Sequence, residues 1–574
     1  MSGSDSHGRD RDENTEMEGT KMRSTMQEYP LTVGAILRHG TETHGDARVI
    51  TATATGTRSM TYAEVRVKAA QLANALKTLG ITGDERVATF QWNNAEHLVS
   101  YLAIPSMGAI MHTLNIRLFP EQLTFIANHA EDKVVIVDDS LVPLLAKQLG
   151  SFETVEHVIV AGPDAASSDL DSLRATGKQV HLLDELLSQQ PETFDWPELD
   201  EFDAAVMAYT SGTTGNPKGV VYSHRTTYLH SMAVGTANVA GLSWSDTMLP
   251  IVPMFHANAW GMAYGSMLTG ANLAMPDRWL QAEPLVRFMQ ASRPTISAAV
   301  PTVWNDVLTY LDQHPEVNLS EHLNLILCGG SPVPVALQQA LKERHNLAMV
   351  QAWGMTETSP VASVARPPLG IAGEEEWAYR ASQGRIVAGV EARIVGESGE
   401  VLERGSGEMG EIEIRGAWIT GSYYKDDDPE KFRDGWLRTG DVGTLDVHGY
   451  FTLTDRAKDV IKSGGEWISS VDLENALMAH PAVLEAAVVG IPHPKWQERP
   501  LAVVVLREGS TATADELRTW LAQSFAKWQL PDAWAFSSGI PRTSVGKFDK
   551  KVLRQQYSDG ELDVVTTDAA AALT

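Results

Sequence analysis

The stretch Tyr209-Thr210-Ser211-Gly212-Thr213-Thr214-Gly215-Asn216-Pro217-Lys218-Gly219 gathers three glycines, four Ser/Thr hydroxyls and one lysine. Glycines let backbone N–H groups approach an anion, the hydroxyls add donors, and Lys218 adds positive charge, which is the chemistry of a phosphate-binding loop. It is not the Walker loop, in which Gly-Lys runs directly into Ser or Thr; Lys218 stands between Pro217 and Gly219. A second cluster, Gln351-Ala352-Trp353-Gly354-Met355-Thr356-Glu357-Thr358, offers an aromatic face for a purine, a hydroxyl for an α-phosphate and a carboxylate suited to Mg²⁺. A third, Arg438-Thr439-Gly440-Asp441, ends in a carboxylate able to accept hydrogen bonds from two vicinal ribose hydroxyls. Two basic segments follow, Asp455 to Trp467 and Pro541 to Lys547. Lys547, on a glycine-containing loop, is a candidate to stabilise charge developing between an α-phosphate and an attacking carboxylate. Taken singly, these motifs also fit a surface loop, a buried tryptophan beside a solvated glutamate, a tight turn and a surface lysine.

The segments that must position these residues alternate between helix and strand patterns. Tyr62 to Leu79 has helical periodicity, whereas Val134 to Val137, Val158 to Val160 and Ala204 to Ala208 are short apolar runs, a pattern that predicts α/β sheets covered by helices. Glycines at 396, 399, 405, 410 and 449 punctuate short runs and predict a smaller β-rich unit. After Asp455 a helix from Val471 to Ala479 and apolar runs at Ala486 to Ile491 and Leu501 to Val505 predict a compact α+β domain. The expected division is an arm over 1–28, a large domain over 29–454, a small one over 455–560 and a tail over 561–574. The first 28 residues hold seven acidic and four basic residues with little to bury, so the arm is expected to be disordered.

Composition narrows the functional classes. At 574 residues the chain exceeds what one hydrophobic core supports, so at least two domains are expected. A net charge of -27 with no basic run argues against nucleic acid as a partner. Cys328 is the sole cysteine and no apolar signal segment follows Met1, which points to the cytoplasm. The uncharged stretch Thr247 to Pro276 is long enough to span a bilayer, but its prolines, glycines, His256 and Asn258 predict protein interior instead.

In order and spacing, the five motifs together resemble those of the adenylate-forming superfamily, which includes acyl-CoA synthetases, luciferase and peptide-synthetase adenylation domains. The likeness runs from about Leu31 to Tyr557, and the stretches Val252 to Trp260, Ile461 to Asn475 and His493 to Pro500 are most similar to bacterial medium- and long-chain fatty acyl-CoA synthetases. The resemblance implies a ligase that uses ATP, Mg²⁺ and coenzyme A to convert a carboxylic acid, through its acyl adenylate, to a thioester. It implies that Thr210 to Lys218, including Ser211, Gly212, Thr213, Thr214 and Gly215, hold the β- and γ-phosphates, with Thr210 and Glu357 at the Mg²⁺. Gly329 and Gly330 border the adenine and acyl pockets. Gln351 to Thr356, with Ala352, Gly354 and Met355, line adenine and the α-phosphate; Asp441 takes the ribose and Arg456 a ribose or phosphate oxygen. Asp455 is implied as the hinge about which the small domain first presents Lys547 and then the Gly464-Gly465-Glu466 face; Lys458, Lys462 and Trp467 match positions on the nucleotide or interdomain face. His256, Ala257 and Trp260 fall at the acyl site, with Trp260 at a gate. Trp353 departs from relatives that carry Tyr: stacking survives and the phenolic hydrogen bond does not. By analogy a homodimer is suggested, and peripheral membrane contact is left open.

Two rivals are weighed against that expectation. Amino-acid adenylating domains hold the substrate ammonium with an aspartate near the positions of Phe255 and His256, and none stands there. A binder that had lost catalysis would be expected to lack Lys547, Glu357 or Asp441, and all three are present. A ligase for a short or substituted acid, such as a thioether propionate, is the alternative within the same chemistry.

Overall fold

The computed structural model describes residues 22, 24–210, 216–426, 428–456, 459–463, 466–543 and 547–566; at 456, 466 and 467 it describes the backbone only. Three sheets organise the chain. In the seven-stranded sheet, Gln179–Leu182, His157–Ala161, Asp132–Asp138, Arg86–Phe90, Ile110–Thr113 and Ala204–Tyr209 run parallel, and Gly219–Ser223 closes the edge as an antiparallel hairpin with Ala204–Tyr209. Val134, Val135, Ile136 and Val137 are wholly buried, as expected of a parallel strand covered on both faces.

The 15-stranded sheet has a parallel centre, Asn272–Met275, Thr247–Pro250, Ile296–Ala299, Leu325–Gly329 and Met349–Gly354. One flank is N-terminal: Arg48–Ala52 lies parallel to Asn272–Met275, pairing Val49 with Leu273, and Thr57–Thr61 pairs outside it. The other flank is antiparallel and holds the glycine-punctuated β-rich stretch, which a continuous ladder joins to the parallel centre through Val361–Val364, Gly384–Ile386 and Tyr450–Arg456. Thus Asp441, on Trp436–Leu445, and Glu357, after Met349–Gly354, share one sheet.

Between these sheets packs a layer of helices. Tyr62–Thr78 starts at a capping box in which the Thr61 hydroxyl accepts from Glu64 N and the Glu64 carboxylate accepts from Thr61 N at 2.7 Å. Ala95–Ser106 is buried along nearly its whole length, and its Tyr101 hydroxyl reaches the carbonyl of Met254. The uncharged stretch is interior: Met254, Tyr264, Met267 and Leu273 show no exposure. Among the described residues no helix is long and apolar enough to cross a membrane.

The third sheet lies C-terminal to the large one and is built on Val483–His493 paired with Gln497–Leu506. Where the chain leaves the large sheet, Asp455 is buried and its Oδ2 accepts from Ser470 N at 2.7 Å. Close by, Lys550 Nζ sits 2.7 Å from Glu474 and 2.5 Å from the Ser470 hydroxyl. Burial raises the Glu474 carboxyl to about 7 against the opposing pull of Lys550.

Candidate active site

The phosphate-loop motif joins the hairpin strands Ala204–Tyr209 and Gly219–Ser223, and among the described residues it is followed by a strand and not by a helix N-terminus. Ser211, Gly212, Thr213, Thr214 and Gly215 lie outside the described residues. The feet of the loop are fixed: Thr210 N donates to Lys218 O at 2.9 Å, and Lys218 N donates to the Thr210 hydroxyl at 3.1 Å. Tyr209 and Tyr424 crowd Gly219, where a Cβ would meet Tyr209 Cζ at 3.1 Å and Tyr424 Cβ at 3.2 Å. The Lys547 loop has the same clamp, with Thr543 N donating to Lys547 O at 2.8 Å and Lys547 N to the Thr543 hydroxyl at 3.2 Å. In both, a threonine four or eight residues earlier holds the lysine backbone.

Glu357 and Thr356 occupy a single 3-10 turn after Met349–Gly354. Both are buried; Tyr222 donates to Thr356 O at 2.7 Å and Tyr423 donates to Glu357 Oε1 at 2.6 Å. A buried carboxylate with one oxygen held by a phenol fits a hard cation shared with phosphate oxygens. Gln351 sits under the strand end, its Oε1 accepting from Val333 N at 2.6 Å and its Nε2 donating to Ser382 O at 2.7 Å. Its side-chain amide thus serves to hold loops.

Trp353 supplies a hydrogen bond the sequence had not indicated. Its Nε1–H donates to Asp441 Oδ2 at 2.8 Å, and the ring meets Phe451 edge-on at 5.4 Å. The indole therefore acts as a donor and fixes the carboxylate proposed for the ribose. Trp353→Phe removes that donor while keeping an aromatic face, so we expect the KM for ATP to rise about three- to tenfold with kcat nearly unchanged, the size of one ordinary hydrogen bond, because Asp441 is left less well oriented and not removed. Steady-state kinetics with varied ATP checks this; a lowered kcat at unchanged KM would contradict it.

His256 and Trp260 flank an unusual turn. Ala257, Asn258, Ala259 and Trp260 have φ of 40°, 53°, 49° and 56°, and Gly261 follows at 72°. Four non-glycine residues in the left-handed region cost about 1–2 kcal/mol each, so the surrounding packing must impose the turn. Gly261 leaves room for His230, whose Nδ1 would lie 2.6 Å from any Cβ there. The turn lays the Trp260 indole beside Gly329 and Gly330; a Cβ on Gly329 would stand 3.4 Å from Trp260 Cη2, and one on Gly330 3.9 Å from Cζ2. Met267 points elsewhere, its Cε against Gly40, so it belongs to the helix layer and does not line an acyl space.

Burial holds His256 neutral, pushing its pKa down to about 4, with the charges of Lys547 and Arg117 adding to the effect. Lys547, of the C-terminal domain, is thus among the charges felt at His256. Between His256, Phe255, Tyr209, Thr210, Thr113 and Asn115 lies a cavity of about 10 Å³, near the space of a single water. Arg117, 5.9 Å from the Phe255 ring, is a cation that sequence reading missed. Its signal was positional: it lies just past the C-terminal end of a parallel strand adjoining the phosphate-loop strand, where α/β sheets bind ligands. Lys458, Gly464 and Gly465 lie outside the described residues, as do the side chains of Arg456 and Trp467. Lys462 is exposed in the small domain, its backbone N donating to Glu498 at 2.9 Å.

Paired lysine loops, a buried carboxylate beside a hydroxyl, and a ribose-type aspartate around one α/β cleft define an adenylate-forming enzyme. The comparisons agree: residues 37–424 match the AMP-binding enzyme family and residues 472–547 its C-terminal domain. The chain belongs to the AMP-binding enzyme family, and it is an AMP-forming acid–thiol ligase. It is 40% identical over 543 residues to a 3-methylmercaptopropionyl-CoA ligase of Ruegeria lacuscaerulensis, covering 94% of this chain and 99% of that protein. It is 42% identical over 554 residues to a long-chain-fatty-acid–CoA ligase of Thermus thermophilus, covering 95% and 99%. The crystal structure of the anthranilate CoA ligase AuaEII in complex with anthranoyl-AMP superposes with a TM-score of 0.82 at 27% identity, covering 93% of this chain and 99% of that one.

Proposed function

We propose that the chain is a fatty acid–CoA ligase for medium- or long-chain unbranched acids, acting in the cytoplasm. The observation that carries the chemistry is the setting of Glu357 and Asp441 on one sheet, each held by an aromatic donor. Lys218 and the Thr210 loop bind the outer phosphates, and Asp441, fixed by Trp353, binds the ribose. Thr210 and Glu357 would hold Mg²⁺, which when bound supplies neutralisation of phosphate charge. The substrate carboxylate oxygen attacks the α-phosphorus and pyrophosphate leaves; Lys547 stabilises the negative charge at that step and neutral His256 adds no competing cation. The domain of 455–560 then turns about Asp455, a thiolate attacks the acyl carbonyl, and AMP departs. Lys458, Lys462, Gly464, Gly465 and Trp467 are assigned to the face presented at this stage.

The substrate reading rests on the apolar turn at Trp260 and the absence of charge from Thr247 to Pro276. A short thioether acid is the second reading, favoured by the Trp260 indole filling the space beside Gly329 and Gly330. A screen of C3 to C18 acids with 3-methylthiopropionate decides between them. Under the fatty-acid reading, kcat/KM climbs about fourfold per methylene, at about 0.8 kcal/mol each, until the space is full. Trp260→Ala then changes kcat/KM for C14 much more than for C3. A best substrate of C3 or C4 overturns the fatty-acid reading, and equal effects of Trp260→Ala on C3 and C14 at unchanged Tm overturn the gate.

A further inference from the structure

The loop over residues 420–431 ties the two large sheets together at the site. Thr420 N donates to Glu357 O at 2.9 Å, Tyr424 N donates to Gly219 O at 2.8 Å, and Lys425 pairs with Glu131 at 2.6 Å. In the middle of this belt Lys218 Nζ lies 2.6 Å from Asp428 Oδ2, 3.3 Å from Asp426 Oδ2 and 4.8 Å from the Tyr423 ring centre. Tyr423 in turn donates to Glu357. The lysine that the phosphate loop presents is therefore already neutralised by two carboxylates, at the position from which it would serve a polyphosphate.

We propose that Asp426 and Asp428 are positioning residues that stand in for phosphate oxygens: they hold Lys218 until ATP displaces them and take it back as pyrophosphate leaves. This rests on the reading of Lys218 as a phosphate ligand. A lysine shares its ammonium between competing anions according to their charge and distance, so the clustered phosphate oxygens of a polyphosphate, each able to accept a charge-assisted hydrogen bond, displace two single carboxylates, while loss of that chain restores them. The pairing is close enough to outweigh partial burial, which would lower the lysine's pKa, and raises it instead; Asp428 is correspondingly lowered, chiefly by its hydrogen bond from Lys218. All three side chains keep roughly a third of their surface in water, at 35%, 39% and 28% for Lys218, Asp426 and Asp428, so exchange needs no unfolding of the belt. Asparagine at 428 would retain the Oδ1 that accepts from Lys431 N at 3.2 Å, which keeps the loop's own turn intact.

The test is a double-mutant cycle on binding of ATP with Mg²⁺, and separately of pyrophosphate, by isothermal titration calorimetry of the full chain. Asp426→Asn/Asp428→Asn should tighten both ligands about three- to tenfold, the range of one or two partly exposed ion pairs. Pyrophosphate should also become a stronger product inhibitor. In a Lys218→Ala background, itself weaker for both ligands, the same asparagines should change affinity less than about 1.5-fold. Equal tightening in both backgrounds would reduce the aspartates to a general repulsive field and overturn the exchange. Weaker binding of ATP by the asparagine variant would place the aspartates among the metal or phosphate ligands and overturn it too. Unchanged ATP affinity in Lys218→Ala alone would remove the phosphate-loop reading on which the inference stands.

Discussion

Lys547→Ala is expected to slow acid-dependent ATP–pyrophosphate exchange by about 10²- to 10³-fold while leaving thioester formation from a supplied acyl adenylate close to wild type. The asymmetry follows from the geometry. The Lys547 loop is closed by its Thr543 clamp and by the bridge of Arg542 with Phe548, and its charge is felt at buried His256. On the proposed mechanism, negative charge accumulates there only while the carboxylate displaces pyrophosphate, and the second step uses a thiol and a different face of the small domain. Equal slowing of both half-reactions would mean that Lys547 supports the fold of the C-terminal loop instead of the first transition state. Circular dichroism and Tm of the variant separate that outcome from simple unfolding.

Glu357→Gln is expected to lower kcat for adenylation by about 10- to 100-fold and to move the Mg²⁺ requirement to higher concentration, because an amide is a poorer ligand for a hard cation than a carboxylate. The amide oxygen can still accept from Tyr423, so the packing of the turn is largely conserved. A calorimetric titration of Mg²⁺ into the ATP-bound variant gives a readout independent of turnover. An unaltered Mg²⁺ midpoint would return Glu357 to a structural role, holding the 420–431 loop through Tyr423 and the Thr420 amide.

How far the sequence carried these assignments depended on whether the signal was local. The buried strands at 134–137 and 158–160 are continuous β-branched runs, and a strand covered on both faces has few other readings. The helix at Tyr62 was legible from its periodicity over Tyr62 to Leu79, and its capping box of Thr61 with Glu64 emerged with the structure. The loop was legible as a candidate for phosphate binding, but its setting in an antiparallel hairpin was not, because the five-residue run Gly219–Ser223 is too short to declare a strand period. The Trp353–Asp441 bond joins positions 88 apart, and Lys218 with Asp428 positions 210 apart; neither pairing leaves a trace in local pattern. The left-handed turn was hidden for another reason. Ala257, Ala259 and Trp260 have no preference for positive φ, so the conformation is imposed by what packs around it, including His230 behind Gly261.

The edge of the large sheet has a consequence for how the chain is made. Val49 pairs with Leu273, 224 residues later, and Tyr62 reaches the carbonyl of Ala271. At about 5–20 residues per second, the N-terminal strand and its helices leave the ribosome roughly 10 to 45 seconds before their partners exist. During that interval Ile36, Leu37, Val49 and Val65, all buried in the finished enzyme, have only each other and the seven-stranded sheet to cover them. That sheet can close once Ser223 has emerged, whereas the N-terminal hairpin waits for the strand at Asn272–Met275. Nascent chains stalled between residues 230 and 270 should therefore be bound by a holdase chaperone and cut by protease near Thr57, and those stalled well beyond 310, with Met275 clear of the tunnel, should not.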